Sequence, residues 1–175
     1  MIDSESGQGS SVWAGVPARA WFAALGLWSG GLVGAGMALQ QMARIAPCPL
    51  CIAQRGLYIL LALIALCGVL WPALRRTWLA LIAGVAGLGW GLAAYQTWMQ
   101  AFPELASECS YSDPDLLEQL VEWLGGVWPS WFLATGFCTS RDWVFLSLSL
   151  ANWSLLVFSA ILLAGWWLWS HGRSS

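Results

Sequence analysis

Long apolar stretches alternate with short polar segments along most of the chain. Four stretches carry no Asp, Glu, Lys or Arg: residues 20–43, 56–74, 77–103 and 143–172. A helix needs about 20 residues, at about 1.5 Å per residue, to cross about 30 Å of hydrocarbon. Because lipid offers no hydrogen bonds to the backbone, an isolated apolar run of this length is expected to be helical. The pattern predicts an all-α membrane protein that crosses the bilayer four times.

The predicted architecture is a single membrane domain, residues 1–175, folded as a four-helix transmembrane bundle. We expect the crossings at about residues 20–42, 51–71, 77–99 and 144–168. Loops at about 43–50 and 100–143 would then share one membrane face. The loop at about 72–76 and the termini, 1–19 and 169–175, would share the other. Residues 1–18 carry no Lys or Arg, and the first apolar run exceeds the about 7–15 residues of a signal-peptide core, so we expect a retained helix.

Composition agrees with a chain surrounded by lipid. Hydrophobic residues make up 59% of the sequence and charged residues only 9%, which is too little charge for the surface of a soluble domain of this size. The expected surroundings are therefore the lipid bilayer, and no nucleic-acid partner is expected.

The arginines suggest which face is cytoplasmic. All seven basic residues are arginine, and four of them lie on the face that holds the termini: Arg19, Arg75, Arg76 and Arg173. The opposite face holds three, and its longer loop is rich in Asp and Glu. Positive charge in short flanks favours the cytoplasm, and the adjacent pair in the short loop is the firmest anchor. The termini are therefore expected in the cytoplasm.

With that orientation, four of the five cysteines fall on the extracytoplasmic face, where disulfides persist. They are Cys48 and Cys51 in the first loop and Cys109 and Cys138 in the second. The fifth, Cys67, lies among apolar residues in the middle of the second stretch and is interpreted as a packing residue.

The first loop contains two cysteines separated by Pro49 and Leu50. Proline suits the first turn of a helix, so the second helix is expected to begin near Pro49. Cys51 would lie in that first turn, where unpaired N–H groups and the helix dipole favour a thiolate. Arg55 follows four residues later on the same face, where it could stabilise the thiolate and donate to a carbonyl of a lipid-soluble acceptor. Alternatively, Arg55 only extends to the lipid headgroups.

The second loop has a predicted helix of its own. Asp113-Pro114 is a typical helix start, apolar residues from Leu116 to Leu124 recur at helical spacing, and Gly125-Gly126 is expected to end the helix. This short amphipathic helix could lie on the membrane surface, pack on the bundle, or do both. Four aromatic residues are expected at headgroup level: Trp123, Trp128, Trp131 and Phe132.

Cys109 and Cys138 bracket this helix and most simply form a disulfide that closes the loop. Such a bond could be only a structural staple. The second cysteine pair on the same membrane face instead suggests thiol–disulfide exchange between the two pairs.

These features together resemble the disulfide bond formation protein B (DsbB) family. The resemblance covers nearly the whole chain after about Ala20. It rests on the four helices, on the motif Cys48-Pro-Leu-Cys51-Ile-Ala-Gln-Arg55, on the second-loop cysteine pair, and on the phrase Ala134-Thr-Gly-Phe-Cys138-Thr-Ser-Arg-Asp-Trp143.

The resemblance implies an enzyme, a thiol:quinone oxidoreductase of the bacterial inner membrane with its redox loops in the periplasm. A periplasmic thioredoxin-fold oxidase of the DsbA type would attack Cys109 in a Cys109–Cys138 disulfide. Cys138 would then attack the first-loop pair, at Cys48, and release Cys51. Electrons would pass from Cys51 to ubiquinone or menaquinone, with Arg55 holding the quinone carbonyl; a DsbA–DsbB–quinone chain keeps the bacterial periplasm oxidising.

The third helix departs from the family at one point. Gln96 stands where a histidine is frequent in the family, so a proton-handling role at that position is not expected to carry over. Gln100, one turn further on, matches a family glutamine and could hydrogen-bond the quinone. Both are candidate cofactor-binding residues.

Three alternatives remain open from the sequence. An enzyme of the vitamin K epoxide reductase type would carry its CxxC motif near the last helices, whereas here the motif precedes the second helix. A metal site made of four cysteines is disfavoured, because Cys109 and Cys138 are far apart in sequence and the compartment is oxidising; no resident metal is expected. A disulfide-stapled membrane protein without redox turnover would hold both pairs inert.

Overall fold

The structure is a computed structural model that describes residues 18–44, 46–106, 116–134, 136–139 and 144–171. Its long helices are α1 (Ala18–Ala43), α2 (Pro49–Leu70), α3 (Arg75–Ala101) and α7 (Leu150–His171). The connections add a 3-10 turn (Pro72–Leu74), the short helices α4 (Pro103–Ala106), α5 (Leu116–Val127) and α6 (Pro129–Phe132), and the strands β1 (Val144–Phe145) and β2 (Leu148–Ser149). All four long helices are long and apolar enough to span a membrane, as predicted.

The four long helices pack in sequence order. α1 packs on α2, α2 on α3, and α3 on α7, whereas α1 and α7 make at most marginal contact in the part of the chain described. The core between them is made of buried apolar side chains, including Phe22, Leu61, Ile82, Ala86 and Phe158. Large apolar residues face outward, among them Leu27, Leu63, Leu88, Leu163 and Trp166. An exposed apolar exterior around an apolar core is what a lipid-embedded bundle requires.

Gly89 sets how closely α3 approaches α7. A Cβ at this position would overlap the ring of Phe158, so the aromatic ring occupies the space that a side chain would need. Phe158 is fully buried and stacks on Tyr58 of α2, with ring centroids 4.6 Å apart and planes 5° apart. This stack joins α2, α3 and α7 in the middle of the bundle.

The fourth crossing begins later than predicted. Residues 144–149 form an antiparallel hairpin in which Phe145 pairs with Leu148, and α7 starts only at Leu150. Two non-glycine residues, Leu146 and Ser147, make the turn at positive φ (52° and 64°). Ser149 Oγ then accepts from the N–H of Asn152 at 3.4 Å, which caps the first turn of α7. The expected start at residue 144 was therefore wrong.

The second-loop helix is present as α5, but it extends through Gly125-Gly126 to Val127, so the expected stop at the glycines was wrong. Its predicted start at Asp113-Pro114 lies outside the described residues. α5 packs on α2 and buries Val121, while Trp123 remains 65% exposed. The helix thus packs on the bundle and also presents an exposed aromatic surface, which Trp128 and Trp131 continue.

Candidate functional site

The first-loop cysteines form the start of α2. Pro49 is the first helical residue and Cys48 is the N-cap, with extended backbone (φ −86°, ψ 163°), so the predicted start near Pro49 is confirmed. Cys48 Sγ accepts from the N–H of Cys51 at 3.3 Å, and its carbonyl accepts from the N–H of Ile52 at 3.1 Å. Cys48 is almost fully buried and Cys51 is half-buried. The helix start therefore fixes the position of both sulfur atoms.

The two sulfur atoms lie 2.8 Å apart, with the Cys48 thiol placed to donate to Cys51 Sγ. Cys51 lies in the first turn, where the helix dipole favours negative charge on its sulfur. At this separation only a small movement of either sulfur is needed to form a disulfide bond. The pair is thus arranged for reversible dithiol–disulfide chemistry.

Two buried amides adjoin this pair. Gln96 Nε2 donates to Cys51 Sγ at 3.2 Å and to Cys48 Sγ at 3.3 Å. Its Oε1 accepts from Gln54 Nε2 at 2.9 Å. Gln96 was predicted to contact a quinone, and the structure places it on the sulfur atoms and on the wall of the cavity described below. Gln54 was not singled out, although it stands inside the CxxC–Arg motif three residues after Cys51.

Cys138, from the second loop, reaches Cys48. It packs against the buried cluster of Cys48, Leu50 and Met99, and it makes a hydrogen-bonding contact with the Cys48 thiol. That contact raises the pKa of Cys48 well above its ordinary value, as do the hydrogen bond to Cys51 and burial, because all three favour the neutral thiol. Cys48 therefore contacts a sulfur of each predicted pair.

The backbone of the second loop is held against the first. The N–H of Gly136 donates to the carbonyl of Pro47 at 3.0 Å, and a Cβ at residue 136 would overlap the carbonyl oxygen of Ala46. Only glycine allows the two backbones to approach this closely. Cys109 lies outside the described residues, so its predicted disulfide with Cys138 stays a prediction.

Arg55 is bonded inside the protein. Its Nη1 donates to the carbonyl of Trp131 at 2.6 Å and its Nη2 donates to Gln40 Oε1 at 2.6 Å. The guanidinium thus joins α1, α2 and α6, and the alternative that it only reaches headgroups is disfavoured. Gln40 was missed in the sequence, although an amide near the end of an apolar run is a recognisable signal of function or packing in a membrane helix.

A cavity of about 520 Å³ opens where α1 and α7 separate. These two helices provide half of its lining residues, and most of those are apolar. Its polar wall comes from the residues described above, including Cys48, Cys51, Arg55 and Gln96. Cavities of roughly 300–1,000 Å³ that are mainly apolar and carry a few convergent polar groups are typical of small-molecule sites.

Gln100 also lines this cavity and is buried. Its Oε1 accepts from Ser149 Oγ at 2.6 Å, so the hairpin before α7 helps to fix the amide. The structure therefore brings six of the seven predicted site residues to one place: Cys48, Cys51, Cys138, Arg55, Gln96 and Gln100. Within the described ranges, no three His, Cys, Asp or Glu side chains group as metal ligands.

Comparison with known proteins gives consistent matches over most of the chain. The family model described as disulfide bond formation protein DsbB matches residues 18–168. A disulfide bond formation protein B from Dechloromonas aromatica (strain RCB) is 62% identical over 146 residues, which cover 83% of this chain and 88% of the relative. Proteins of the same name from Aromatoleum aromaticum and Azoarcus sp. (strain BH72) are each 40% identical, over 82% and 86% of this chain and 87% and 91% of theirs.

Proposed function

Because this chain belongs to the DsbB family of disulfide bond formation proteins, we propose that it reoxidises a periplasmic thiol protein and delivers the electrons to a membrane quinone. Family membership and the four apolar helices make it a multi-pass membrane protein that takes part in disulfide bond formation. The thiol donor, the acceptor and the orientation in the bacterial inner membrane are the proposed parts.

The observation that carries the proposal is the position of Cys48 between two other sulfurs. Cys138 contacts Cys48 from the second loop, and Cys51 lies 2.8 Å from Cys48 on α2. A disulfide used only as a staple has no need for a third cysteine against one of its sulfur atoms. A chain of three adjacent sulfurs instead suits stepwise exchange, in which each new bond releases the next thiolate.

The proposed exchange transfers two electrons from the partner's two thiols to the first-loop pair. The partner's thiolate attacks Cys109 of the oxidised second-loop pair and forms a mixed disulfide, which releases Cys138 as a thiolate. The partner's second thiol then resolves that bond and leaves as a protein disulfide, so that Cys109 and Cys138 are reduced. Cys138 attacks Cys48 in the Cys48–Cys51 disulfide and releases Cys51 as a thiolate; Cys109 then resolves the Cys48–Cys138 bond. The net result is two electrons and two protons held at Cys48 and Cys51.

The cavity fits a quinone headgroup beside Cys51. Its wall is mainly apolar, as a lipid-soluble ring requires, and Arg55 and Gln100 are candidate donors to carbonyl oxygens. A bound ubiquinone or menaquinone would supply the two-electron acceptor for the reduced cysteine pair. The separation of α1 from α7 leaves the cavity open on the side from which such a molecule would come.

A thioredoxin-fold oxidase of the DsbA type is the proposed thiol donor. Such partners have reduction potentials of about −120 mV, so oxidising them requires an acceptor that draws the exchange forward. Arg75 and Arg76, the first two residues of α3, favour a cytoplasmic location for that end of the bundle. The four exchanging cysteines would then face the periplasm.

The test is quinone reduction by the purified protein in detergent. Reduced DsbA-type protein and excess ubiquinone, or menaquinone, are added, and quinone absorbance is followed for many turnovers. The proposal predicts catalytic loss of quinone in the wild type, no turnover in Cys51→Ser, and normal turnover in Cys67→Ala, which removes a cysteine outside both pairs. No quinone loss in the wild type with either quinone would contradict the proposal and favour inert disulfides.

A further inference from the structure

Gln54 and Gln96 form a buried amide pair, and Gln96 donates hydrogen bonds to the two sulfur atoms of the first loop. Gln54 is 4% exposed and Gln96 is 2% exposed, so little of either side chain is open to solvent. We propose that Gln96 stabilises the reduced form of the Cys48–Cys51 pair by donating to the Cys51 thiolate, and that Gln54 is the positioning residue that turns the Gln96 amide into the donating orientation.

The orientation of the Gln96 side-chain amide decides which of its two polar groups faces the sulfur atoms. Gln96 has one carbonyl oxygen and one NH₂ group on the same carbon, so fixing one fixes the other. Gln54 Nε2 donates to Gln96 Oε1 at 2.9 Å, which points the NH₂ group away from Gln54. The two sulfur contacts, 3.2 Å to Cys51 and 3.3 Å to Cys48, both arise from that NH₂ group.

The opposite orientation would present an oxygen to the sulfurs. A carbonyl oxygen repels a thiolate and can only accept from a protonated thiol, so it would stabilise the neutral pair instead. In a buried site with low dielectric this difference is large, because hydrogen bonds to charged groups are stronger than neutral ones. The bond from Gln54 therefore selects which protonation state of the pair is favoured.

A side-chain amide does not take up or release a proton near neutral pH. Gln96 therefore acts on the sulfurs through hydrogen bonding alone, and the protons of the reduced pair must be handled by other groups. A bound disulfide is a weak acceptor, so the Gln96 donors stabilise the reduced pair more than the oxidised pair. They make the Cys48–Cys51 disulfide easier to reduce, which favours electron transfer into it from Cys138.

The physiological meaning of this inference rests on the proposed function, but its test needs neither quinone nor partner. In a Cys109→Ser, Cys138→Ser background, the first-loop pair is equilibrated with defined ratios of reduced to oxidised dithiothreitol. Alkylation of free thiols and peptide mass spectrometry then give the fraction of Cys48–Cys51 that is reduced. Thiolate absorbance in the ultraviolet gives the ionised fraction of the same samples.

Gln96→Met is expected to lower the equilibrium constant for reduction by about tenfold, as expected for losing a hydrogen bond to a charged group, and to lower the thiolate absorbance. Gln54→Met should act in the same direction by a smaller factor. The double variant should have the same equilibrium constant for reduction as Gln96→Met alone, since Gln54 acts only through Gln96. Gln96→Leu provides a second apolar replacement if the methionine variant does not fold.

Thr97→Val is the matched control. Thr97 is a polar α3 neighbour of Gln96 that hydrogen-bonds Asn152 at 3.0 Å, so the variant loses a bond of similar kind at a distance from the sulfurs. Its equilibrium constant should match the wild type. The inference is overturned if both Gln96 variants leave the constant unchanged, if the Gln54 and Gln96 effects add, or if Thr97→Val shifts it equally. If the variants behave as predicted but the wild type shows no quinone turnover, only the proposed function is contradicted.

Discussion

The N–H of Gly136 donates to the carbonyl oxygen of Pro47 at 3.0 Å, across the two loops that carry the cysteines. Gly136 lies two residues before Cys138, and Pro47 lies one residue before Cys48. This single backbone bond therefore aligns the sulfur atoms that exchange in the proposed relay, and it requires a residue without a side chain on one partner.

Gly136→Ala should separate the two loops, because the added Cβ would overlap the carbonyl oxygen of Ala46. We expect quinone reduction driven by the DsbA-type partner to fall by about ten- to a hundred-fold, the range in which a misplacement of about 1 Å acts. Reduction driven by dithiothreitol, which can attack the Cys48–Cys51 pair directly, should change little.

Gly126→Ala is the matched control for that variant, because a Cβ at Gly126 meets no atom within 4 Å. It should preserve both activities. Equal losses in the two assays for Gly136→Ala would argue against a role for the loop contact in transfer between the pairs.

Replacing Arg55 by methionine should weaken quinone binding. The variant keeps an unbranched side chain but loses the proposed donor to a quinone carbonyl. It also loses the bonds that hold the guanidinium to Gln40 Oε1 and to the carbonyl of Trp131. We expect the quinone KM to rise by about tenfold or more, in the range of a lost hydrogen bond to a charged group. Dithiothreitol should still reduce the Cys48–Cys51 disulfide in the absence of quinone. A quinone KM equal to that of the wild type would remove Arg55 from the binding site.

Cys48 should be slow to alkylate in the reduced protein below about pH 9, the ordinary value that the pKa of its thiol exceeds. A raised pKa means that the neutral thiol persists as pH rises through that value, and only the thiolate reacts. Replacing Cys138 by alanine removes the largest cause of the increase, so Cys48 should then react at lower pH. The check is a pH series of iodoacetamide labelling read by peptide mass spectrometry; an unchanged Cys48 profile in Cys138→Ala would contradict this account.

Gly89→Ala should destabilise the bundle, because a Cβ there would overlap the buried Phe158 ring, which Tyr58 holds in a stack. Overpacking of this kind costs typically about 1–3 kcal/mol, and the better helix propensity of alanine offsets up to about 1 kcal/mol. Thermal or denaturant unfolding in detergent measures the difference. Gly84→Ala, where a Cβ meets nothing within 4 Å, should be neutral or stabilising. A Gly89→Ala protein as stable as the Gly84→Ala protein would show that α3 and α7 can separate without cost.

The sequence was sufficient for the features that are governed by local chemistry. Lipid solvation makes a long uncharged run a helix, which predicts the four crossings. Proline is favoured at the first position of a helix, because its φ is already near the helical value and its missing N–H costs no hydrogen bond there. The start of α2 at Pro49 and the placement of Cys51 in its first turn were therefore predictable.

The parts that were missed depend on contacts between distant segments. The turn at Leu146-Ser147 has positive φ at both residues but contains neither glycine nor asparagine, so its residue types did not predict a hairpin. Arg55 and Gln40 meet only because α1 packs on α2 in one register, and no local pattern encodes that register. The same holds for the contact between Cys138 and Cys48.

The central claim is that electrons cross between the loops through Cys138 and Cys48, and disulfide trapping tests it most directly. In Cys51→Ser, Cys109→Ser protein, only Cys48 and Cys138 remain of the two pairs; in Cys48→Ser, Cys109→Ser protein, only Cys51 and Cys138 remain. Both are oxidised gently and mapped by peptide mass spectrometry. The account predicts ready formation of the Cys48–Cys138 disulfide and little Cys51–Cys138 disulfide. Preferential trapping of Cys51 with Cys138, or failure to trap Cys48 with Cys138, would contradict it.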